Sequence, residues 1–326
     1  MYTMGGMEFS EGLVTRGINN IYTVMKDEQS FICRIKGKQL TSVKNEYNPI
    51  AVGDYVSFTA DCQILARIER TNCFQRWNDK GRCNQTVVAN MDQIAIVTSA
   101  NTPPFRPRFI DRCIACCINV KPLIIMNKSD ILLTEDEFAR FSLFHTLGYR
   151  IIAVSSQSGE NMDELKALLA GKKTAFIGQS GVGKSTLINT LLQSNQKTSD
   201  LCEKYNRGCH TTNHALMLFA GDMTIVDTPG VREILPPHGD AHRIAQSFPE
   251  FLEPAKRCAY DCCLHDNEPQ CAVKKMVEEG KIDPDRYESY LRILESLKTM
   301  TPAWMKNEDN KSHKGQKYRY DDGSEE

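Results

Sequence analysis

Up to about residue 76 the chain is cut into short apolar runs with period-two alternation. Residues 17–24, 30–35, 54–58 and 64–68 read as strands, broken by turn signals at Lys36-Gly37-Lys38 and Val52-Gly53-Asp54. Five strands in about sixty residues suit an OB-fold β-barrel, assigned to residues 1–76. From 84 to 236 the pattern changes to apolar strands followed by helical periodicity. Strand 93–98 precedes a helix near Arg108, and strand 123–126 a helix over 134–146. Strand 150–154 precedes a helix over 162–169, and strand 174–177 a helix from Lys184. Strands 215–219 and 224–227 complete a doubly wound α/β sheet, whose ligand is expected at the carboxyl ends of its strands. Residues 237–305 turn helical, over 240–248 and from an Asp283 cap through Pro284 to Lys298. The charged tail, 306–326, is predicted to be disordered; an RNA-contacting arm and a solvated tail both fit it.

Three motifs bring chemistry to the middle block. Gly178-Gln179-Ser180-Gly181-Val182-Gly183-Lys184-Ser185, with Thr186 next, satisfies the phosphate-loop pattern between a strand and a helix. Its backbone amides converge on phosphates, Lys184 adds a charge for the β and γ groups, and Ser185 offers a hydroxyl to Mg²⁺. Asp227-Thr228-Pro229-Gly230 ends an apolar strand as D-x-x-G, with Asp227 in reach of the Mg²⁺ shell and the Gly230 amide in reach of the γ-phosphate. Asn127-Lys128-Ser129-Asp130 is a guanine reader: the Asp130 carboxylate accepts from N1–H and the exocyclic amine, which adenine cannot offer together. GTP and GDP, not ATP, are the expected nucleotides. Ser155-Ser156-Gln157-Ser158-Gly159 fits either the loop under guanine O6 or a plain Ser/Gly turn.

The guanine motif precedes the phosphate loop, the reverse of an ordinary small GTPase. Such a permutation leaves the sheet intact and makes the chain leave the GTPase block directly after D-x-x-G. Beyond that exit point lies Cys258-x4-Cys263-x-His265-x5-Cys271, a closed set of ligands for one structural Zn²⁺, with Cys262 as a competing ligand. Cys113, Cys116 and Cys117 sit at helical spacing with Ile110 and Ile114 and read as small core residues. The chain holds thirteen cysteines in 326 residues, yet no secretory signal or 18-residue apolar run accompanies them, so reduced thiols in a cytoplasmic protein with no membrane partner are expected. A net charge of −1 leaves nucleic-acid contact to local patches. Arg16, Arg34, Lys36, Lys38 and Lys44, interleaved with Tyr22, Phe31 and Tyr47, fit an RNA-binding barrel face and an ordinary solvated face equally.

Taken together, these motifs resemble those of the RsgA (YjeQ) family of circularly permuted GTPases, in the order OB barrel, permuted GTPase (84–236) and zinc module (237–305). The resemblance implies a monomer whose partners are the small ribosomal subunit and its rRNA, GTP hydrolysis stimulated by that subunit, and release on hydrolysis. The family's first switch segment reads G-R-H-T-T; here Gly208-Cys209-His210-Thr211-Thr212 carries Cys209 in place of Arg. Val231 stands where a Ras-like enzyme keeps its water-positioning Gln, so intrinsic turnover is expected to be slow. His210, in the loop expected to close over the γ-phosphate, is the candidate to orient water, and Thr211 or Thr212 the candidate to complete the Mg²⁺ shell. The rival reading is an RNA-binding module with a nucleotide site of little catalytic importance; intact Lys184, Ser185 and Asp227 favour the enzyme.

Overall fold

A computed structural model describes residues 2–4, 7–35, 40, 46–193, 214–231 and 233–303. The first block supplies β1 (Tyr2–Met4), β2 (Met7–Ile18), β3 (Ile21–Lys26), β4 (Gln29–Ile35), β5 (Tyr55–Thr59) and β6 (Gln63–Arg67). Pairing runs β2-β3-β4-β6-β5 and closes from β5 back onto β2; only β4 with β6 is parallel. That is the five-stranded barrel expected of an OB-fold, filled by Val14, Val24, Cys33, Val56, Phe58 and Ile64. The run 17–24 is not one strand. Asn19 and Asn20, at φ 49° and 63°, form a two-residue turn that splits it into β2 and β3. Asn tolerates the left-handed region, and the twist of a hairpin favours two such residues in succession.

A hairpin, β7 (Cys73–Asn78) and β8 (Cys83–Ala89), follows the barrel and pairs with β10 (Cys117–Ile118) in a small separate sheet. The main α/β unit holds β9 (Gln93–Ser99), α1 (Pro107–Cys116), β11 (Lys121–Asn127), α2 (Glu135–Thr146), β12 (Arg150–Val154), α3 (Met162–Leu169), β13 (Lys173–Gly178), α4 (Lys184–Gln193), β14 (Leu216–Ala220) and β15 (Met223–Asp227). Strand order is β12-β11-β9-β13-β15-β14, all parallel except β14. Every residue of β9 is buried, as its unbroken apolar run requires of a central strand. The permutation is visible in this order: the phosphate-loop strand β13 lies between β9, which precedes it in sequence, and β15, which comes after it. Thr134 caps α2 through a capping box with Glu137, which fixes where that helix begins.

The C-terminal block contributes α5 (Ala241–Gln246), α6 (Pro249–Ala255), α7 (Ala272–Glu278) and α8 (Pro284–Thr299). Asp283 caps α8 by accepting from the Arg286 amide at 2.8 Å. The block docks on the α/β unit through Arg286, which is 1% exposed. Its guanidinium binds Asp111 of α1 and Glu250 of α6, beneath the rings of Phe144, Tyr149 and Phe248. Removing one partner from such a buried cluster costs about 3–5 kcal/mol, because the other charges stay behind without water. Around it, Arg108 and Arg140 reach Asp285 at 2.5 and 2.8 Å. Cys113 and Cys116, both on α1, are fully buried in the core of the α/β unit as small core residues should be, whereas Cys117 is half-buried and begins β10 rather than continuing the helix. Among the described residues no helix is long and apolar enough to cross a membrane.

Candidate nucleotide site and metal centre

The carboxyl ends of β11, β13 and β15 meet at a cleft of about 500 Å³, lined by Lys128, Gln179 to Gly181, Gly183 to Thr186 and Asp227 to Gly230. The phosphate loop can take its shape only with glycine at key points. Gly183 has φ +83°, and a Cβ there would stand 2.4 Å from the Asn127 side-chain nitrogen. A side chain at that position would be strained in backbone and blocked in space. Gly178 is packed as tightly, with a Cβ position 2.8 Å from the Val97 carbonyl.

Asn127 is the strut that ties the predicted motifs together. Fully buried at the end of β11, it donates to the Val182 carbonyl at 3.0 Å and accepts from the Ser156 amide at 3.3 Å. One side chain thus fixes the phosphate loop to the Ser155–Gly159 loop. Lys128, in the left-handed region at φ 63°, crosses the phosphate loop and donates to the Gly181 carbonyl at 3.0 Å and to the Thr102 carbonyl. A bulky residue held there is costly and persists only where its surroundings demand it. Ser129 donates to Glu160 at 2.6 Å. Asp130 is exposed, and none of the described residues hydrogen-bonds its carboxylate. Ser155 is buried, its hydroxyl accepting from the Gln157 and Ser158 amides at 3.3 and 3.1 Å, so it shapes the loop that presents Ser156.

On the opposite side, the Lys184 ammonium is buried and binds Asp227 and the Thr228 carbonyl. The D-x-x-G loop runs beside the phosphate loop: Thr228 donates to the Phe176 carbonyl at 2.7 Å, the Val231 amide to the Gly178 carbonyl at 3.2 Å, and a Cβ on Gly230 would lie 3.5 Å from Ser180. Ser185 and Asp227 line one cleft, and a hydroxyl with a carboxylate suits a hard divalent cation. His210, Thr211 and Thr212 lie outside the described residues, as does Cys209.

Cys258, Cys263, His265 and Cys271 form the second centre, with ligand atoms all within 4.8 Å of one another. Cys258 Sγ lies 3.9 Å from Cys271 Sγ and 3.7 Å from His265 Nδ1, and Cys271 Sγ lies 3.4 Å from that nitrogen. A tetrahedral Zn²⁺ with its usual bond lengths demands about 3.8 Å between sulfurs and about 3.6 Å from sulfur to nitrogen. These three separations suit such a metal, and three thiols with one imidazole are a donor set that zinc takes. Cys262 is exposed and outside the cluster, whereas Cys263 is buried within it. Glu268 organises the ligand loop by accepting from the Leu264 and Asp266 amides at 2.8 and 2.9 Å. Tyr287 of α8 donates to the His265 carbonyl at 2.6 Å, and Tyr290 to that of Leu264. Burial pushes the Cys263 thiol up to about 12 and the His265 imidazole below its ordinary value. The imidazole is thereby a ready neutral ligand, whereas the thiol must shed its proton to a metal, so metal uptake should release protons.

Residues 67–235 match the RsgA GTPase family, and residues 11–68 match the RsgA N-terminal domain. The chain belongs to the RsgA GTPase family. It is 37% identical over 303 residues to the small ribosomal subunit biogenesis GTPase RsgA of Borrelia garinii subsp. bavariensis, covering 90% of this chain and 98% of that one. RsgA 2 of Oceanobacillus iheyensis, carrying the same description, is 35% identical over 306 residues, 90% of this chain and 100% of its own. Among solved structures, YjeQ from Thermotoga maritima is 28% identical, with TM-score 0.65 over 90% of this chain and 100% of that one. YloQ, a circularly permuted GTPase, shares the fold at TM-score 0.63 and 23% identity, over 93% of this chain and 99% of that one. In this chain several supporting residues escape motif reading. Glu160 and Thr102 carry no pattern of their own. Arg286 does leave a trace, because it shares a helical face with Tyr290, Ile293 and Leu294, where a lone charge needs buried partners.

Proposed function

We propose that this chain hydrolyses GTP as a late maturation factor of the small ribosomal subunit, gripping rRNA in its GTP state and leaving on hydrolysis. The observation that carries the reading is the convergence of phosphate loop, guanine motif and D-x-x-G on one cleft, in a chain whose relatives are named for small ribosomal subunit biogenesis. In this reading Asp130 reads the base, with Asn127, Lys128, Ser129, Ser155 and Ser156 shaping its pocket. The backbone from Gly178 to Thr186 cradles the phosphates. Ser185 and Asp227 would hold Mg²⁺, whose charge would offset that of the phosphate oxygens. Lys184 leaves Asp227 for the phosphates when nucleotide enters, and the Gly230 amide answers the γ-phosphate. His210 orients the attacking water, and Thr211 or Thr212 completes the cation shell. Cys258, Cys263, His265 and Cys271 hold one structural Zn²⁺.

The division of labour follows the three blocks, 1–76, 84–236 and 237–305, in a cytoplasmic monomer. Barrel and zinc module each offer a contact, and two linked contacts bind far more tightly than either alone. Co-sedimentation with small subunits should therefore be strong with a non-hydrolysable GTP analogue, weak with GDP, and reduced by salt. Equal co-sedimentation in both nucleotides would leave an RNA-binding module without a GTP gate.

Base reading has its own test. Asp130→Asn should lose GTP affinity by about 10- to 150-fold, the equivalent of roughly 1.5–3 kcal/mol for a charged hydrogen bond, and gain xanthosine triphosphate. Unchanged GTP affinity, measured by calorimetry, would remove Asp130 from the pocket.

A further inference from the structure

A second cleft, of about 890 Å³, lies between the barrel and the phosphate site. That volume falls in the range of small-ligand sites. The β2–β3 turn with Asn19 and Asn20 contributes to one side, the β7–β8 hairpin with Arg76 and Gln85 to another, and the D-x-x-G loop to a third. Thr228, Pro229 and Gly230 line both this cleft and the phosphate cleft.

The lining has a definite chemistry. Arg76 and Lys80 bring positive charge, while the carboxylate on the wall, Glu233, is already paired with Arg112 at 2.9 Å. The Arg76 guanidinium donates to Gln85 Oε1 at 3.2 Å. That bond fixes the half-buried guanidinium on the cleft wall, where its remaining N–H groups suit an anionic oxygen. Tyr47 offers a flat face, its ring braced so closely by Gly81 that a Cβ there would come within 2.4 Å of it. The side-chain amides of Asn19, Asn20 and Asn48 can both donate and accept, as the edge of a nucleobase requires.

We propose that this cleft binds a nucleoside phosphate, with its phosphate on Arg76 and Lys80 and its base on Tyr47. The occupant is a free nucleotide or one residue of an RNA strand. Resting on the function proposed above, its presence would bear directly on the D-x-x-G loop and so on GTP turnover.

The test uses the full chain saturated with GDP, titrated calorimetrically with uridine 5′-monophosphate and with hexauridylate, neither of which carries guanine. One probe should bind per chain, with affinity lowered about tenfold or more by Arg76→Gln and by the exposed Lys80→Ala, while GDP affinity holds. Binding of the mononucleotide assigns a free nucleotide; binding of the hexamer alone assigns an RNA residue. Absence of binding by both probes, or binding that both variants leave intact, overturns the proposal. Failure of GDP to saturate the chain would instead strike the GTPase reading.

Discussion

Lys184→Ala is expected to abolish GTP turnover, lowering kcat/KM by about 100-fold or more. The side chain is 7% exposed and its ammonium rests on Asp227 and the Thr228 carbonyl. On the function proposed above the same ammonium serves the β- and γ-phosphates, and hydrogen bonds to charged groups contribute about 1.5–3 kcal/mol each. The substitution acts twice. It removes the charge that meets the phosphates, and it takes from the buried Asp227 carboxylate the cation that now faces it. Single-turnover phosphate release with wild type as reference would decide the matter. Turnover within about twofold of wild type would place the phosphates elsewhere.

The second large effect belongs to the cysteine cluster. Cys263→Ser should lose the metal and loosen the C-terminal block, since metal binding supplies apparent free energies of about 10–16 kcal/mol in small zinc modules. Cys262→Ser should be silent, because Cys262 is exposed and outside the cluster. GDP binding should survive the loss of metal. The nucleotide cleft is lined by Lys128, the phosphate loop, the start of α4 and the D-x-x-G loop, whereas the C-terminal block packs on α1 through Arg286 and Ala115. Zinc content per chain, read together with GDP affinity, checks both statements. Full zinc in Cys263→Ser, or metal loss in Cys262→Ser, would refute the ligand set.

Most of the α/β unit was legible because its strands are long apolar runs and its helices carry explicit boundaries. Thr134 with Glu137, and Asp283 before Pro284, are local chemistry, and local chemistry can be read from a sequence. The phosphate loop, guanine motif and D-x-x-G were legible for the same reason: a few adjacent residues do each job. Contacts between distant segments were not. The role of Asn127 as a strut depends on Val182 and Ser156, which only the fold brings to it. The β7–β8 hairpin was missed because its alternation falls between two blocks with stronger patterns, and its partner β10 is two residues long. The Asn19-Asn20 turn was hidden because the apolar residues on either side, Ile18 and Ile21, read as parts of one strand. That Cys263 and not Cys262 joins the cluster depends on which thiol packs inward, a property of tertiary packing.

GTP turnover by the purified chain, measured with and without small ribosomal subunits, tests the central claim most directly. Val231 replaces the glutamine that orients water in Ras-like enzymes, so the isolated chain should turn over slowly. Added subunits should raise the rate by about tenfold or more, an effect abolished in Lys184→Ala. A rate unchanged by subunits at saturating concentration would contradict the account.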